Sequence, residues 1–168
     1  MSRPILAWPD SRLRETARPV GAVTAEIRAL AAEMLEAMYA APGRGLAATQ
    51  IGVPLRLFVM DAGWREGAPA PQVFVDPVIR EASAARGRMT EGCLSLPGIL
   101  AEVERPAEVT LAWTDLEGAR QERRFTGFEA VCVQHETDHL DGRLCIDLLP
   151  EAAREALAPA LARLEATA

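Results

Sequence analysis

Between residues 126 and 142 the chain reads TGFEAVCVQHETDHLDG, and this stretch decides how the rest must pack. Thr126 followed three residues later by Glu129 is a capping-box pattern, which predicts that a helix begins here. Gly142 is placed to end the same helix. The apolar run Phe128–Val133 predicts that the helix is largely buried, so the other elements are expected to surround it.

The only two histidines of the chain, His135 and His139, lie in this stretch. Residues spaced i, i+4 share one face of a helix, so both imidazoles can bind one divalent ion. Glu136 lies beside them, where its carboxylate can take a proton from a water held by the ion. The alternative is a pair of core histidines without a metal, which would leave buried polar groups to be satisfied.

A catalytic metal site usually has three protein ligands, and a cysteine can supply the third one here. Cys93 lies in a glycine- and proline-flanked loop, EGCLSLPG, at residues 91–98. Cys145 lies at the spacing of the third histidine in the metzincin motif. Cys132, on the helix itself, is interpreted as a small buried hydrophobic residue. The residues alone leave Cys93 and Cys145 as alternatives.

Two further helices are predicted, one before this segment in the chain and one after it. Thr24 caps the first, in which apolar residues recur at helical spacing from Ile27 to Met38. The second covers Glu151–Glu165 and has three leucines on one face. Pro159 is expected to kink or divide it.

The predicted strands are Leu55–Asp61, Gln72–Ile79, Glu108–Thr114 and Ala119–Phe125. Pro77 predicts that the second of them lies at a sheet edge, and residues 115–118 form a hairpin turn between the last two. Residues 63–71 and 82–88 are expected to be surface loops. This order predicts an α+β fold, with antiparallel or mixed strands around the buried metal-binding helix and helices at both ends.

Composition limits the function classes. The chain has 168 residues, of which 49% are hydrophobic and 25% charged, as expected for a single globular domain over residues 1–168. The net charge of −6 argues against a general nucleic-acid binder or a polybasic membrane binder. All 18 basic residues are arginine, which excludes a lysine Schiff base and a P-loop phosphate clamp.

The chain is expected to be cytoplasmic. No apolar run approaches the roughly 20 residues that a membrane span needs, and Met1–Asp10 lacks the layout of a signal peptide. Three cysteines are an odd number and too few for a disulfide framework, which favours a reducing compartment.

Three motifs occur in order: GRGLAATQ at residues 43–50, EGCLS at 91–95 and HETDH at 135–139. Together they resemble the peptide deformylase family, whose motifs are G-x-G-x-A-A-x-Q, E-G-C-L-S and H-E-x-D-H. The resemblance covers about residues 4–150, and the helix over 151–165 completes the domain. It implies a hydrolase that removes the formyl group from the N-formylmethionine of new polypeptides, giving formate and a free amine.

The resemblance also implies a role for each matching residue. The metal ligands are Cys93, His135 and His139, with Fe²⁺ as the ion in the cell and Zn²⁺ or Ni²⁺ as substitutes. Glu136 is the general base and then the proton donor to the leaving amine. Gln50 and the backbone N–H of Leu94 donate to the oxyanion, while the Gly45 region pairs with the substrate backbone. This selects Cys93 over Cys145 as the third ligand.

Around this centre we expect a pocket for the methionine side chain, formed by Arg44, Met89, Phe128, Val131 and Cys132. Members of the peptide deformylase family usually have an aliphatic residue at the position of Arg44. An arginine there can narrow or polarise the pocket. Outside the ligand set, we expect Asp138 and Arg105 to pair and to hold the Cys93 loop against the helix.

Two other functions are considered. One is a deformylase-like protein that acts on another N-acyl or formyl substrate, or that binds nascent chains without catalysis. The other is a metzincin-like metalloprotease that uses Cys145. The expected partners are formyl-methionine peptides and nascent chains, with a transient ribosome contact, no membrane and no general nucleic-acid binding, and the chain is expected to be a monomer.

Overall fold

A computed structural model describes residues 3–168. Met1 and Ser2, which belong to the predicted domain and to the segment tested for a signal peptide, lie outside the described residues. The helices are α1 (Ala25–Ala40), α2 (Gly127–Leu140) and α3 (Glu151–Ala166). The strands are β1 (Gly45–Ala47), β2 (Leu57–Met60), β3 (Gln72–Ala82), β4 (Arg86–Gly92), β5 (Leu100–Pro106), β6 (Glu108–Thr114) and β7 (Arg120–Thr126). The predicted α+β fold is confirmed.

The strands form a five-stranded antiparallel sheet in the order β1-β2-β3-β6-β7 and a separate β4-β5 hairpin. The prediction that Pro77 places its strand at an edge is wrong, because β3 is the central strand. The pairing shifts between Val75, opposite Thr114, and Val78, opposite Ala112. Pro77 falls inside this bulge together with Asp76 (φ 48°), where the missing N–H breaks no regular ladder bond.

The sheet packs between α1 and α2, and the alternation of side chains along β2 shows how. Phe58 and Met60 belong to the hydrophobic cluster that contains the apolar residues of α2. Leu57 and Val59 belong to the cluster that contains those of α1. Successive strand residues point to opposite faces, so a fully buried strand contacts a helix on each side.

The ends of the helices agree only in part with the predictions. Thr24 accepts a hydrogen bond from the Ile27 N–H, as predicted for the cap of α1. The predicted capping box of α2 is wrong, because the Thr126 side chain makes no capping hydrogen bond. The Glu129 carboxylate instead accepts from Arg123, at 3.2 Å on the neighbouring strand. Gly142, at φ 72°, follows the end of α2 as predicted.

Of the two predicted effects of Pro159, a kink or a division, the division does not occur, because the third helix continues through this residue. Pro159 is exposed, and the carbonyl that loses its partner there can be solvated. The helix packs through Leu157, Leu161 and Leu164 against residues of β5 and of the segment 144–146. Among residues 3–168, no helix has the length and apolar character needed to cross a membrane.

Two strand regions were not predicted. One is the short β1, and the other is the β4-β5 hairpin. The predicted loop at 82–88 is mostly strand, since β3 runs to Ala82 and β4 begins at Arg86. The sequence of β4, RGRMTEG, has charged residues and glycines where an alternating apolar pattern would be needed to reveal it.

Candidate metal centre and its cavity

Three potential ligand atoms lie close together, those of Cys93, His135 and His139. The Cys93 Sγ and the His139 Nε2 are 3.4 Å apart, and the His139 Nε2 and the His135 Nε2 are 3.2 Å apart. Helix α2 supplies both histidines, while Cys93 follows the last residue of β4. A soft thiolate and two imidazoles form a donor set that suits a divalent transition metal.

Cys145 does not join both histidines. Its sulfur lies near Glu91 and His135, whereas Cys93 alone of the cysteines in residues 3–168 is grouped with both His135 and His139. Burial raises the pKa of the Cys145 thiol to about 12, which keeps it neutral. The geometry therefore disfavours the metzincin-like alternative.

Glu91 orients the first histidine. The His135 Nδ1 lies 2.8 Å from a Glu91 oxygen. Burial alone would raise the pKa of Glu91, but hydrogen bonds from His135 and Arg105 outweigh it and lower the pKa. An ionised carboxylate can only accept, so His135 carries a proton on Nδ1 and its Nε2 faces the other two ligand atoms. We assigned no role to Glu91 from the sequence, although it lies two residues before Cys93 in the motif EGCLS.

Arg105 connects this carboxylate to the predicted partner Asp138. The Arg105 guanidinium donates to both oxygens of Glu91, at 2.6 and 2.9 Å, and to the Asp138 carboxylate at 2.8 Å. Arg105 is buried. The contacts join β4, β5 and α2 around a charge cluster next to the ligands.

Glu136 is buried, and among residues 3–168 its Oε2 atom has no hydrogen-bond partner. Burial raises the pKa of Glu136 to about 7. Gly45 lies against it, since a Cβ atom at that position would be 2.8 Å from the Glu136 Oε1 and 2.9 Å from the Cys132 Sγ. An unpartnered carboxylate oxygen beside three convergent ligand atoms is placed to exchange a proton with a molecule bound there.

Gln50 is held with its amide nitrogen toward the same centre. Its Oε1 accepts from the Ala47 N–H at 2.9 Å, and its Nε2 donates to the Ser95 hydroxyl at 3.0 Å. The Nε2 lies 3.8 Å from the Cys93 Sγ. Because the backbone N–H of Ala47 is a donor, it fixes which end of the amide is the oxygen. The Gln50 N–H groups therefore face the ligand cluster.

A cavity of about 950 Å³ opens onto this centre. It brings together most of the predicted site residues, with Arg44, Gly45, Gln50, Leu94, Phe128, Val131 and Cys132 in its wall. Met89, predicted in the methionine pocket, is not in that wall. It lies opposite Val103 in the β4-β5 hairpin, two residues before Glu91.

Arg44 lies in the cavity wall and is partly buried. Its guanidinium carbon is 5.1 Å from the centre of the Phe128 ring, and the group pairs with the Glu66 carboxylate. The side chain therefore covers one face of Phe128. On the inner side, Cys132 is buried, and burial raises the pKa of its thiol, as expected for a small hydrophobic residue.

A family model and individual relatives both match this chain and point to the same family. The model of a family described as polypeptide deformylase matches residues 2–155. A peptide deformylase of Afipia carboxidovorans is 50% identical over 153 residues, which are 91% of this chain and 90% of that protein. One of Mesorhizobium japonicum is 48% identical over 153 residues, covering 91% and 87%.

Solved structures are similar throughout the fold. A peptide deformylase from Plasmodium falciparum superposes with a TM-score of 0.93 at 31% identity, covering 98% of this chain and 96% of that one. One from Legionella pneumophila gives a TM-score of 0.90 at 37% identity, covering 99% and 97%. The similarity includes the sheet, the hairpin and all three helices.

Proposed function

The chain belongs to the peptide deformylase family, and from that membership we propose how its residues carry out the reaction. The enzyme removes the formyl group from the N-formylmethionine of newly made polypeptides. The observation that carries the residue assignment is the convergence of Cys93, His135 and His139 on one point next to the unpartnered Glu136 carboxylate.

Cys93, His135 and His139 are the proposed ligands of one divalent ion. Their donor atoms fit such an ion, and the Glu91 contact leaves the His135 Nε2 lone pair available. Burial, with the positive charge of Arg105 nearby, keeps the pKa of His139 well below its usual value, which favours the neutral imidazole that metal binding needs. When bound, the ion polarises a carbonyl oxygen and lowers the pKa of a water molecule. Fe²⁺ is the proposed ion in the cell, with Zn²⁺ or Ni²⁺ as substitutes.

Glu136 is the proposed general base and acid. Its carboxylate lies in a water-poor site with one oxygen free, and a pKa near neutrality lets it accept a proton and release it again. The proton first leaves the attacking water and then passes from Glu136 to the nitrogen of the leaving amine. That second transfer completes the cleavage of the formyl C–N bond.

Gln50 and the backbone N–H of Leu94 are the proposed oxyanion donors. Attack on the formyl carbon builds negative charge on its oxygen, and fixed donors stabilise that charge where it develops. The amide of Gln50 is held in position from both ends, so little reorganisation is needed during the reaction. Because the amide is neutral, it donates over the whole working range of pH.

The substrate is proposed to lie along β1. This strand is an edge of the sheet, with β2 as its one neighbour there, so its other edge is open to an added peptide strand. Gly45 brings that edge close to Glu136. The methionine side chain then has an apolar wall of Phe128, Val131 and Cys132, with Arg44 at the rim. Arg105 and Asp138 act as positioning residues, since they hold Glu91 and thereby His135.

Formate release from formyl-Met-Ala-Ser tests the assignment. We expect turnover by protein reconstituted anaerobically with Fe²⁺ or Ni²⁺, and turnover lower by about 10²-fold or more in Glu136→Gln. Cys93→Ala should lose both metal and activity, whereas its matched control Cys145→Ala should keep both. The reverse pattern for the two cysteines would restore the metzincin-like alternative. Full metal loading without formate release would indicate a nascent-chain binder without catalysis.

The proposed partners are formylated nascent chains. Since these chains are made on ribosomes, the proposal places the enzyme in the cytoplasm with a transient ribosome contact. We propose that it works as a monomer. Sedimentation of the protein with and without ribosomes tests both the contact and the monomeric state.

A further inference from the structure

The loop after β2 is fixed to the end of the cavity by three side chains. The buried Asp61 carboxylate accepts from the Tyr39 hydroxyl at 2.6 Å and from the Ala70 N–H at 3.0 Å. The Trp64 Nε1 donates to the Gly43 carbonyl at 2.8 Å, and the Trp64 ring packs edge-on against Tyr39. The loop is therefore a fixed wall next to the segment that leads into β1.

Arg65 lies on this loop. Its two chain neighbours both contact the segment that leads into β1. Trp64 donates a hydrogen bond to Gly43, and Glu66 forms an ion pair with Arg44. Arg65 lines the cavity and is exposed. Among residues 3–168 its guanidinium has no ion-pair or hydrogen-bond partner.

The other charged residues of the cavity wall do not neutralise the positive charge of Arg65. Arg44 is paired with Glu66, and Glu91 is paired with Arg105. Glu136 lies at the inner end, beside the ligand cluster. Residues 97–100, which also line the cavity, have the uncharged sequence PGIL. A bound peptide therefore meets one free positive charge at the rim, on a chain whose net charge is −6.

The position of Arg65 corresponds to the part of a substrate that follows the methionine. Gly45 marks the reacting end, because it contacts Glu136. Gly43, held by Trp64, lies two residues before Gly45 in the part of the cavity wall, residues 41–45, that leads into β1. A peptide beside β1 would place residues downstream of methionine near Arg65.

We propose that Arg65 makes this enzyme favour formylated peptides that carry an acidic side chain within the three residues after methionine. A carboxylate there gains a charge-assisted contact with the guanidinium. Because the site is exposed, the preference is modest and is screened by salt. The inference rests on the proposed deformylase function and names a substrate class for it.

The test compares C-terminally amidated peptides, so that no other carboxylate is present. Asp and Asn are placed in turn at each of the three positions after formyl-Met in an otherwise alanine sequence. We expect kcat/KM to be roughly three- to five-fold higher for Asp than for Asn at one or more positions at low ionic strength. The ratio should fall toward one in about 0.5 M salt.

Arg65→Gln should abolish the difference in kcat/KM between the Asp and Asn peptides. Arg28→Gln is the matched control, because Arg28 is exposed on α1, makes no ion pair within residues 3–168 and lies outside the cavity wall. Arg65→Glu should shift the preference to Lys peptides. Equal kcat/KM for Asp and Asn in the wild type, or an unchanged ratio in Arg65→Gln, would overturn the inference.

Peptide binding to the inactive Glu136→Gln variant gives the same comparison without turnover. Calorimetry should show the Asp peptide binding more tightly than the Asn peptide by a similar factor. Absence of formate release from every peptide would contradict the deformylase function, whereas equal binding of the two peptides would contradict the role of Arg65. The two failures are therefore distinguishable.

Discussion

Because Gly45 has no side chain, a strand and a helix can approach each other closely in the site. Gly45 lets β1 lie directly against α2, with no room for a Cβ atom between the strand and the Glu136 carboxylate. The short distance keeps the carboxylate in a water-poor environment, which raises its pKa. A single glycine thus lies against the proposed general base and beside the proposed path of the substrate backbone.

Gly45→Ala should lower kcat/KM by about tenfold or more, because the added methyl group displaces Glu136 or Cys132 from its place. Formate release measures the effect, and metal content should stay unchanged. Gly87→Ala is the matched control, since the nearest atom to a Cβ there is 4.0 Å away. Wild-type kcat/KM in Gly45→Ala would contradict the close approach.

Tyr39 is the only tyrosine of the chain, so its ionisation can be followed directly. Burial, together with its hydrogen bond to the Asp61 carboxylate, raises the pKa of Tyr39 to about 12. The raised pKa means that Tyr39 stabilises the fold below pH ~10 and that this contribution is lost as the pH rises toward ~12. Ultraviolet absorbance of tyrosinate should therefore appear near pH 12 in the folded protein.

Asp61→Asn should lower the pKa of Tyr39, because the substitution removes the negative charge that opposes ionisation. In guanidinium chloride the pKa should return to about 10. Circular dichroism over the same pH range shows whether the protein is still folded. A folded wild-type protein that titrates near 10 would contradict the Tyr39–Asp61 contact.

At the scale of elements, a buried charge cluster joins two strands and a helix. Glu91 belongs to β4, Arg105 to β5 and Asp138 to α2. Cys93 immediately follows β4, so the hairpin positions the proposed thiolate ligand, while the cluster links the hairpin to the helix that carries both histidines. The geometry of the metal centre therefore depends on how these elements dock.

Arg105→Gln should lower metal affinity by about 10- to 100-fold, because Glu91 then loses its bidentate partner and orients His135 less well. It should also lower the free energy of unfolding by about 3 kcal/mol, since a buried carboxylate is left without its charge partner. Metal titration and thermal melting measure the two effects. Arg88→Gln, on an exposed position of β4, is the control. Unchanged metal retention and Tm would show that Arg105 has no positioning role.

At the scale of the whole molecule, hydrophobic clusters, rather than the proposed metal ligands, form the core that supports the site. The sheet is packed on one face by α1 and on the other by α2, and a third apolar cluster joins the hairpin to α3. This packing supplies the main stability of the chain, with burial of apolar area as the driving force.

Removal of the metal by a chelator should therefore lower Tm without unfolding the protein. Circular dichroism should keep its native shape at room temperature. Added Fe²⁺, Ni²⁺ or Zn²⁺ should restore stability in proportion to the logarithm of its free concentration, by about 4 kcal/mol at a thousandfold excess over Kd. Loss of helical signal on chelation would show that the ion, and not the core, holds the fold.

The sequence by itself determined the local features and the identity of the family. The cap at Thr24, the end of α2 at Gly142 and the pair His135 and His139 depend on residues close together in the chain, so they can be recognised from spacing alone. The three ordered motifs determined the family, which comparison with known proteins confirms.

Only the tertiary structure decided what depends on distant residues meeting. The contact of Glu91 with His135 spans 44 residues. The central place of β3 and the presence of Arg65 in the cavity wall likewise result from strand pairing and loop docking. Such contacts are set by the packing of whole elements, and the spacing of residues along one element carries no information about them.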